Sequence, residues 1–594
     1  MSAQTVPLMP GSGAESAGLT RLRSVAVALI MAGYLTAALV ITARLWAGPG
    51  SQMVAGNPND NDYYAWMLRY SAAAISHGRL PALVTAALDA PHGINLMWNN
   101  SMLAPGVLLT PVTDLFGPQA SLTVLLTLGF AGSAASMLFV LRRWGISLPA
   151  AALGGAVYGF SPALLHSAIG HYNLQFAVLP PLIVDVGLRL CLGRARPVRA
   201  GALLGVLVTV QLFIAAEVLL DVAMAAVVLV IVLAAGRPRA VAAHFRPAVT
   251  GLAVAALTTL LLAGRALWVQ FSGPLTEHGS AFLFDFYKND LSAFITPSGL
   301  LLFHTTASAA AASRYQGGPP EYLAYLGVPL IAALAIAIVA LWRELPVRAV
   351  GLTLAVLELL SLGAHPLVSG TVQTGVTLPW AWLGHLPVVS SVLPARISVV
   401  ADGAAAALLA FALDAARSRL ARRPLMGYAV SGIAVLALLP LIPLPLPAQP
   451  VAALPAGWAS AFTALRLPAG ASVLVVPVPT ATVTYAERWQ AQSGEQISLN
   501  AGYFQGPASD GQAYVEGNGL PPLAYYLDQL WTGTGSAPPP SAAEARATLA
   551  NWDPAAVVAV TGSRSPTGRY LIGLLGPPAV AVGSVLAWRE AAAG

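Results

Sequence analysis

Asn57-Pro58-Asn59-Asp60-Asn61-Asp62-Tyr63-Tyr64-Ala65-Trp66-Met67-Leu68 lies about fifteen residues beyond the first long apolar run of the chain. It carries two carboxylates two positions apart, followed by side chains that favour a membrane surface. Asn, Asp and Pro in this order also suit a solvated turn. Which reading holds depends on what surrounds the pair.

The surroundings are those of a membrane protein. Of 594 residues, 57% are hydrophobic and only 9% are charged. The mean hydropathy is +0.71, whereas soluble domains carry about 25% charged residues. A helix needs about 20 apolar residues to cross a hydrocarbon core, and about eleven runs qualify. They fall near 22–45, 119–141, 148–170, 173–192, 199–216, 218–236, 248–271, 322–342, 347–364, 396–416 and 425–445. The net charge of +6 comes almost wholly from arginine, since lysine is nearly absent. The arginines sit in short connections, which reads as bilayer orientation and not as nucleic-acid binding.

With the N-terminus inside, those connections are Arg142-Arg143, Arg194 to Arg199, Arg237 to Arg246, Arg343 to Arg348 and Arg417 to Arg423. Segments 46–118, 272–321, 365–395 and everything after 446 then lie outside, and Asp60 and Asp62 with them. Residues 1–21 read as a cytoplasmic tail before an uncleaved first span, because no signal-peptide pattern is present. Cys191 is the lone cysteine, so no internal disulfide forms.

In the first outer loop, Tyr63, Met67, Tyr70 and Ala74 recur at helical spacing, predicting an amphipathic helix lying on the membrane and ended by Gly78 and Pro81. Residues 101–116, broken by Pro105 and Pro111, read as a re-entrant or surface helix. Pro440 to Pro455 is a Pro-rich linker. Beyond it, Val473–Val476 and Ala556–Val560 read as buried strands, Ser541 as the cap of a helix, and Ala579–Trp588 as a strand pair. The expected organisation is therefore a helical polytopic membrane domain, 22–445, followed by a small extracytoplasmic α/β domain, 446–594.

Asp60 and Asp62 are the candidate catalytic pair. A carboxylate near a lipid headgroup can take the proton of an attacking hydroxyl. Its neighbour can orient the acceptor or raise the first group's pKa by like-charge repulsion. Alternatively, the two can share a divalent cation, since hard cations prefer carboxylate oxygens. Charges within spans imply a cavity or a partner, and Glu217, Arg265, Glu358, Arg396 and Asp402 all fall toward the outer half. A phosphate calls for cations; Arg396 is the best placed, with Arg265, Lys288, Arg314 and His278 as further candidates. His171, Asn173, His92, Asn95 and Glu217 are candidates for hydrogen bonds to sugar or acceptor. The histidines lack metal-ligand spacing, and no Walker loop, Gly-x-Ser-x-Gly elbow or zinc motif occurs.

A first span, an outer loop bearing Asp60-x-Asp62, many further spans and an outer α/β domain together resemble the GT-C superfamily of glycosyltransferases. Ala90-Pro91-His92-Gly93-Ile94-Asn95-Leu96, Gly159-Phe160-Ser161-Pro162, Gly170-His171-Tyr172-Asn173-Leu174 and Glu321-Tyr322-Leu323-Ala324-Tyr325-Leu326-Gly327 are similar to an uncharacterised actinobacterial branch of it. So are Arg488-Trp489-Gln490-Ala491 and Gly502-Tyr503-Phe504. The resemblance implies a multi-pass plasma-membrane enzyme that takes a sugar from a polyprenyl-phosphate donor. It passes that sugar, with inversion, to a cell-envelope glycan or glycolipid on the outer face. Asp60 and Asp62 match the acidic loop motif. A transporter or flippase of lipid-linked intermediates is the competing reading, although internal repeats are not evident. A non-catalytic glycan-binding accessory protein is the third.

Overall fold

The computed structural model describes residues 13–100, 102–420, 422–494, 497–516, 519–533, 535 and 538–589. Much of the expected tail 1–21 falls outside them.

Helix α1 (Gly13–Ile41) leads to strand β1 (Gln52–Val54) and helix α2 (Pro58–Ser76). The bundle continues with α3 (Pro118–Arg143), α4 (Leu148–Gly159), α5 (Pro180–Cys191), α6 (Pro197–Leu212), α7 (Ala216–Gly236) and α8 (Pro238–Ser272). After a long excursion come α9 (Val328–Ala340), α10 (Leu345–Ser361), α11 (Ser398–Arg419) and α12 (Pro424–Leu438). Among the described residues, six helical stretches are long and apolar enough to cross a membrane. The protein is a mostly helical, multi-pass membrane protein. Helices also occupy the other predicted runs, but α5, α6, α9, α10 and α12 are only 12 to 17 residues long. Prolines explain some of the shortening: the run 173–192 restarts at Pro180-Pro181, because a proline pair cannot sit inside a helix.

Helix α2 begins five residues before the sequence periodicity suggested. Asn57 caps it, accepting a hydrogen bond from the Asp60 amide at 3.2 Å, and Pro58 occupies the first turn. Nor does α2 lie on the membrane surface: Asn61 through Leu68 are buried. Trp66 is fully enclosed and its indole N–H reaches Gln490 Oε1 at 2.6 Å. Residues 103–116 form two short helices, Leu103–Leu108 and Thr110–Phe116, with Leu108, Leu115 and Phe116 exposed.

What covers α2 is the C-terminal region. Strand β2 (Ala448–Pro450), in the Pro-rich segment, pairs antiparallel with β1 and ties that segment to the first loop. Beyond it lie β3 (Ala471–Val476), α13 (Tyr485–Ser493), β4 (Ile497–Leu499), β5 (Ala556–Val560), β6 (Val580–Val582) and β7 (Val585–Arg589). They form one sheet, ordered β6-β7-β5-β3-β4, parallel at β5-β3-β4 and antiparallel at β5-β7-β6. A helix over Ala542–Trp552 starts in a capping box between Ser541 and Glu544. The sheet is buried on both faces, as its near-continuous apolar strands require. Leu474, Val476, Val557 and Trp588 pack under this region's own helices with Leu523, Leu527 and Leu549. Val473, Val475, Ala556 and Val558 face the other way and join the core that contains Trp489, Leu88 and Tyr63.

Candidate functional site

Three consecutive residues at the start of α2 point in three directions. Each step along an α-helix turns about 100°, so positions two apart face away from one another. Asp60 lines a polar cavity of about 380 Å³. Asn61 turns into the bundle, donating to Gln119 Oε1 at 2.9 Å and accepting from the Tyr172 hydroxyl at 2.9 Å. Asp62 turns toward α13. There, Arg488 grips it with Nε and Nη2 at 2.7 and 2.6 Å, and the Thr484 hydroxyl donates to Oδ2 at 2.7 Å. Asp62 is 1% exposed. The two carboxylates thus do not converge on one ligand, because the loop that would have aligned them is a helix.

Asp60 is held on both oxygens. The Tyr503 phenol donates to Oδ1 at 2.8 Å and Asn57 Nδ2 donates to Oδ2 at 2.5 Å. His171 Nε2 stands 3.5 Å from Oδ2. Gly170, at φ +106°, permits the approach of this loop: a Cβ there would lie 2.6 Å from Asn57 Nδ2 and 3.0 Å from Asp60 Cβ. Burial and the neighbouring Arg396 guanidinium push the His171 imidazole down to about 3, so it is neutral at pH 7. Burial, with Asp60 beside it, holds the Tyr503 phenol well above its ordinary range, and it serves as a donor.

Opposite Asp60, Arg396 bridges two carboxylates. Nη2 meets Glu321 Oε1 at 2.7 Å, and Nη1 meets Glu217 Oε2 at 2.9 Å. Its Nη2 also lies 3.4 Å from His171 Nε2. A second cavity of about 450 Å³ adjoins the first and shares Trp98, Asn100, Phe282, Arg396 and Gln505 with it. This one is mainly apolar, lined by Leu212, Leu219, Leu220, Leu267 and Phe271.

Of the other sequence-predicted residues, Glu217 lines the apolar cavity and His171 the polar one. His278 also lines the apolar cavity, and the rest are placed elsewhere. Asn173 is buried behind the site, accepting from the Tyr64 hydroxyl at 2.7 Å. Asn95 is structural, donating to the carbonyls of Val269 and Pro274 at 2.9 and 3.0 Å. His92 is exposed. Lys288 is spent on Asp285 at 2.5 Å. Arg265 and Arg314 are exposed, and neither lines either cavity. Glu321, Arg488 and Tyr503 were given no chemical role by the sequence, although each lies in a string that carried the resemblance. Tyr503 meets Asp60, Arg488 meets Asp62 and Glu321 meets Arg396, each across a sequence distance that hid the contact.

Across the two adjoining cavities, Asp60, Glu217 and Glu321 stand against the guanidinium of Arg396. An entering anion would therefore favour a counter-cation. The acidic oxygen there that would meet such an ion is Glu321 Oε2, buried without a hydrogen-bond partner, since both Asp60 oxygens accept hydrogen bonds and Asp62 is committed to Arg488. Among the described residues no three His, Cys, Asp or Glu side chains gather as a ligand set.

No family model matches the chain. No curated protein matches it either. Among solved structures, it is similar to the apo oligosaccharyltransferase of Archaeoglobus fulgidus, at 12% identity and a TM-score of 0.49, over 90% of this chain and 69% of that one. The same archaeal enzyme, AglB, bound to an inhibitory peptide and a dolichol-phosphate gives 11% and 0.46, over 90% and 69%; its complex with Zn and sulfate gives 13% and 0.45, over 89% and 67%. The mycobacterial arabinofuranosyltransferase AftD gives 16% and 0.49, over 95% of this chain but only 40% of that one. Both neighbours are membrane glycosyltransferases of the GT-C superfamily.

Proposed function

We propose that the protein is a GT-C-type glycosyltransferase that moves a sugar from a polyprenyl-phosphate donor to a hydroxyl of a cell-envelope glycan or glycolipid, with inversion. The observation that carries this reading is the placement of Asp60, a carboxylate facing a polar cavity that shares a wall with an apolar one. Sugar and acceptor fit the first, and a prenyl chain fits the second. The acceptor hydroxyl gives its proton to Asp60 as its oxygen attacks the anomeric carbon. The bond from that carbon to the phosphate oxygen breaks, and polyprenyl phosphate leaves without needing a general acid. Tyr503 and Asn57 fix the Asp60 carboxylate, while neutral His171 keeps a second positive charge away from it.

The reading places the Asp60 cavity and residues 446–594 outside, and the Arg-bearing connections 142–147, 193–198 and 237–247 inside. It also takes α5, α6, α9, α10 and α12 as additional spans, about eleven in all. The test is transfer from a synthetic polyprenyl-phosphate sugar by purified protein. Transfer by the unmodified chain but not by Asp60→Asn supports the reading; equal turnover by both, with normal folding, removes it.

A further inference from the structure

At the end of the bundle remote from Asp60, a cavity of about 230 Å³ opens among α5, α7, α8 and α10. Helix α7 runs from Glu217, beside the apolar cavity of the site, to Gly236, beside this one. Its 21 residues span about 31 Å, a bilayer core. The two cavities therefore lie at opposite membrane faces.

The remote cavity is built for an amphiphile. Its inner wall is apolar, with Leu229, Leu233, Val350 and Phe411. Its rim carries Arg189, Arg194, Arg237 and His244. Arg194 and Arg237 are exposed and have no carboxylate partner among the described residues. The nearby acids are already occupied. Asp185 accepts from Trp144 at 3.0 Å and faces Arg143 at 3.2 Å and Arg189 at 3.9 Å. Glu344 pairs with Arg419 at 3.2 Å. Helices α8 and α10 both begin at the rim, adding two partial positive charges. The result is unpaired positive charge above an apolar slot, at headgroup depth.

We propose that this cavity is a binding site for an anionic glycerophospholipid, its phosphate on Arg194 and Arg237 and the upper part of one acyl chain along Leu229 and Leu233. A zwitterionic lipid brings its own cation to a rim that already has a surplus, so the site selects anionic headgroups. A free phosphate satisfies the rim but leaves the apolar wall wet. This inference uses no part of the glycosyl-transfer reading.

The experiment is native mass spectrometry of the full chain in detergent, titrated with phosphatidylglycerol, phosphatidylcholine or inorganic phosphate. The expected result is one tightly held phosphatidylglycerol that millimolar phosphate does not displace. The Arg194→Ala/Arg237→Ala pair should weaken it roughly thirtyfold, and Arg422→Ala/Arg423→Ala, outside the cavity, should leave it bound. If the charge variant fails to fold, Val241→Trp decides, because it keeps the arginines and fills the slot; lipid loss is expected. Equal binding of the two lipids, displacement by phosphate, equal loss in the control pair, or retention in Val241→Trp would each overturn the proposal.

Discussion

Arg488 and Asp62, 426 positions apart in sequence, form a buried two-pronged ion pair that joins the C-terminal region to the start of α2. Breaking a pair of this kind leaves an uncompensated buried charge and costs about 3–5 kcal/mol. Asp62→Asn is therefore expected to lower stability by that order, as is Arg488→Ala. The double substitution should cost less than the sum of the two. Thermal unfolding of the three variants in one detergent checks this; additive losses would mean the pair is not coupled.

Asp60→Asn keeps the shape of the side chain but not its basicity. We expect a rate loss of roughly 10²–10⁴ with little change in melting temperature. Single-turnover transfer, measured beside unfolding, separates this outcome from the stability loss expected of Asp62→Asn.

His171 gives a pH signature. Its imidazole is held down to about 3 in the folded protein, against an ordinary 6.5. Between those values the unfolded chain binds a proton that the folded one refuses, so stability from this group falls as pH drops from about 6.5 toward 3, by at most about 1.4 kcal/mol per unit. Above pH 7 it contributes no slope. His171→Gln should flatten this part of the acid limb, and stability curves that superimpose on the parent's would show that His171 is not the cause.

Arg396 is the counter-charge of Glu217 and Glu321, so Arg396→Ala is expected to unfold the site and not merely weaken a ligand. The informative change is Arg396→Lys, which keeps the charge and loses the fork. Retained folding with a raised KM for the donor would assign Arg396 to the donor as well as to the two glutamates. An unchanged KM would leave it as a structural bridge.

Topology is tested in a Cys191→Ser background. Asp510→Cys should react with an impermeant maleimide on intact cells, and Ser418→Cys only after permeabilisation. The reverse pattern would place the Asp60 cavity inside.

The long apolar helices were legible because a bilayer imposes a length on apolar runs. The strands at Val473–Val476 and Ala556–Val560 were legible because a strand buried on both faces is apolar throughout. The site was only half legible. The cap signal at Asn57-Pro58 was present, and had the helix been started there, Asp60 and Asp62 would have been seen to diverge. Asn57 caps the helix, and Arg488 withdraws Asp62 from the cavity that Asp60 faces. Tyr503, Arg488 and Glu321 obey no spacing rule relative to the site around the start of α2. They are brought to it by tertiary packing, which no local pattern encodes.

The pairing of β1 with β2 has a consequence for biosynthesis. Helices α1 through α12 are synthesised before β2, Arg488 and Tyr503. During that interval the first loop is an open strand edge, Asp62 lacks its counter-ion, and Asp60 lacks its phenol. The bundle can occupy the bilayer before the Asp60 cavity is walled, because Ala481, Tyr503, Phe504 and Gln505 supply part of its lining.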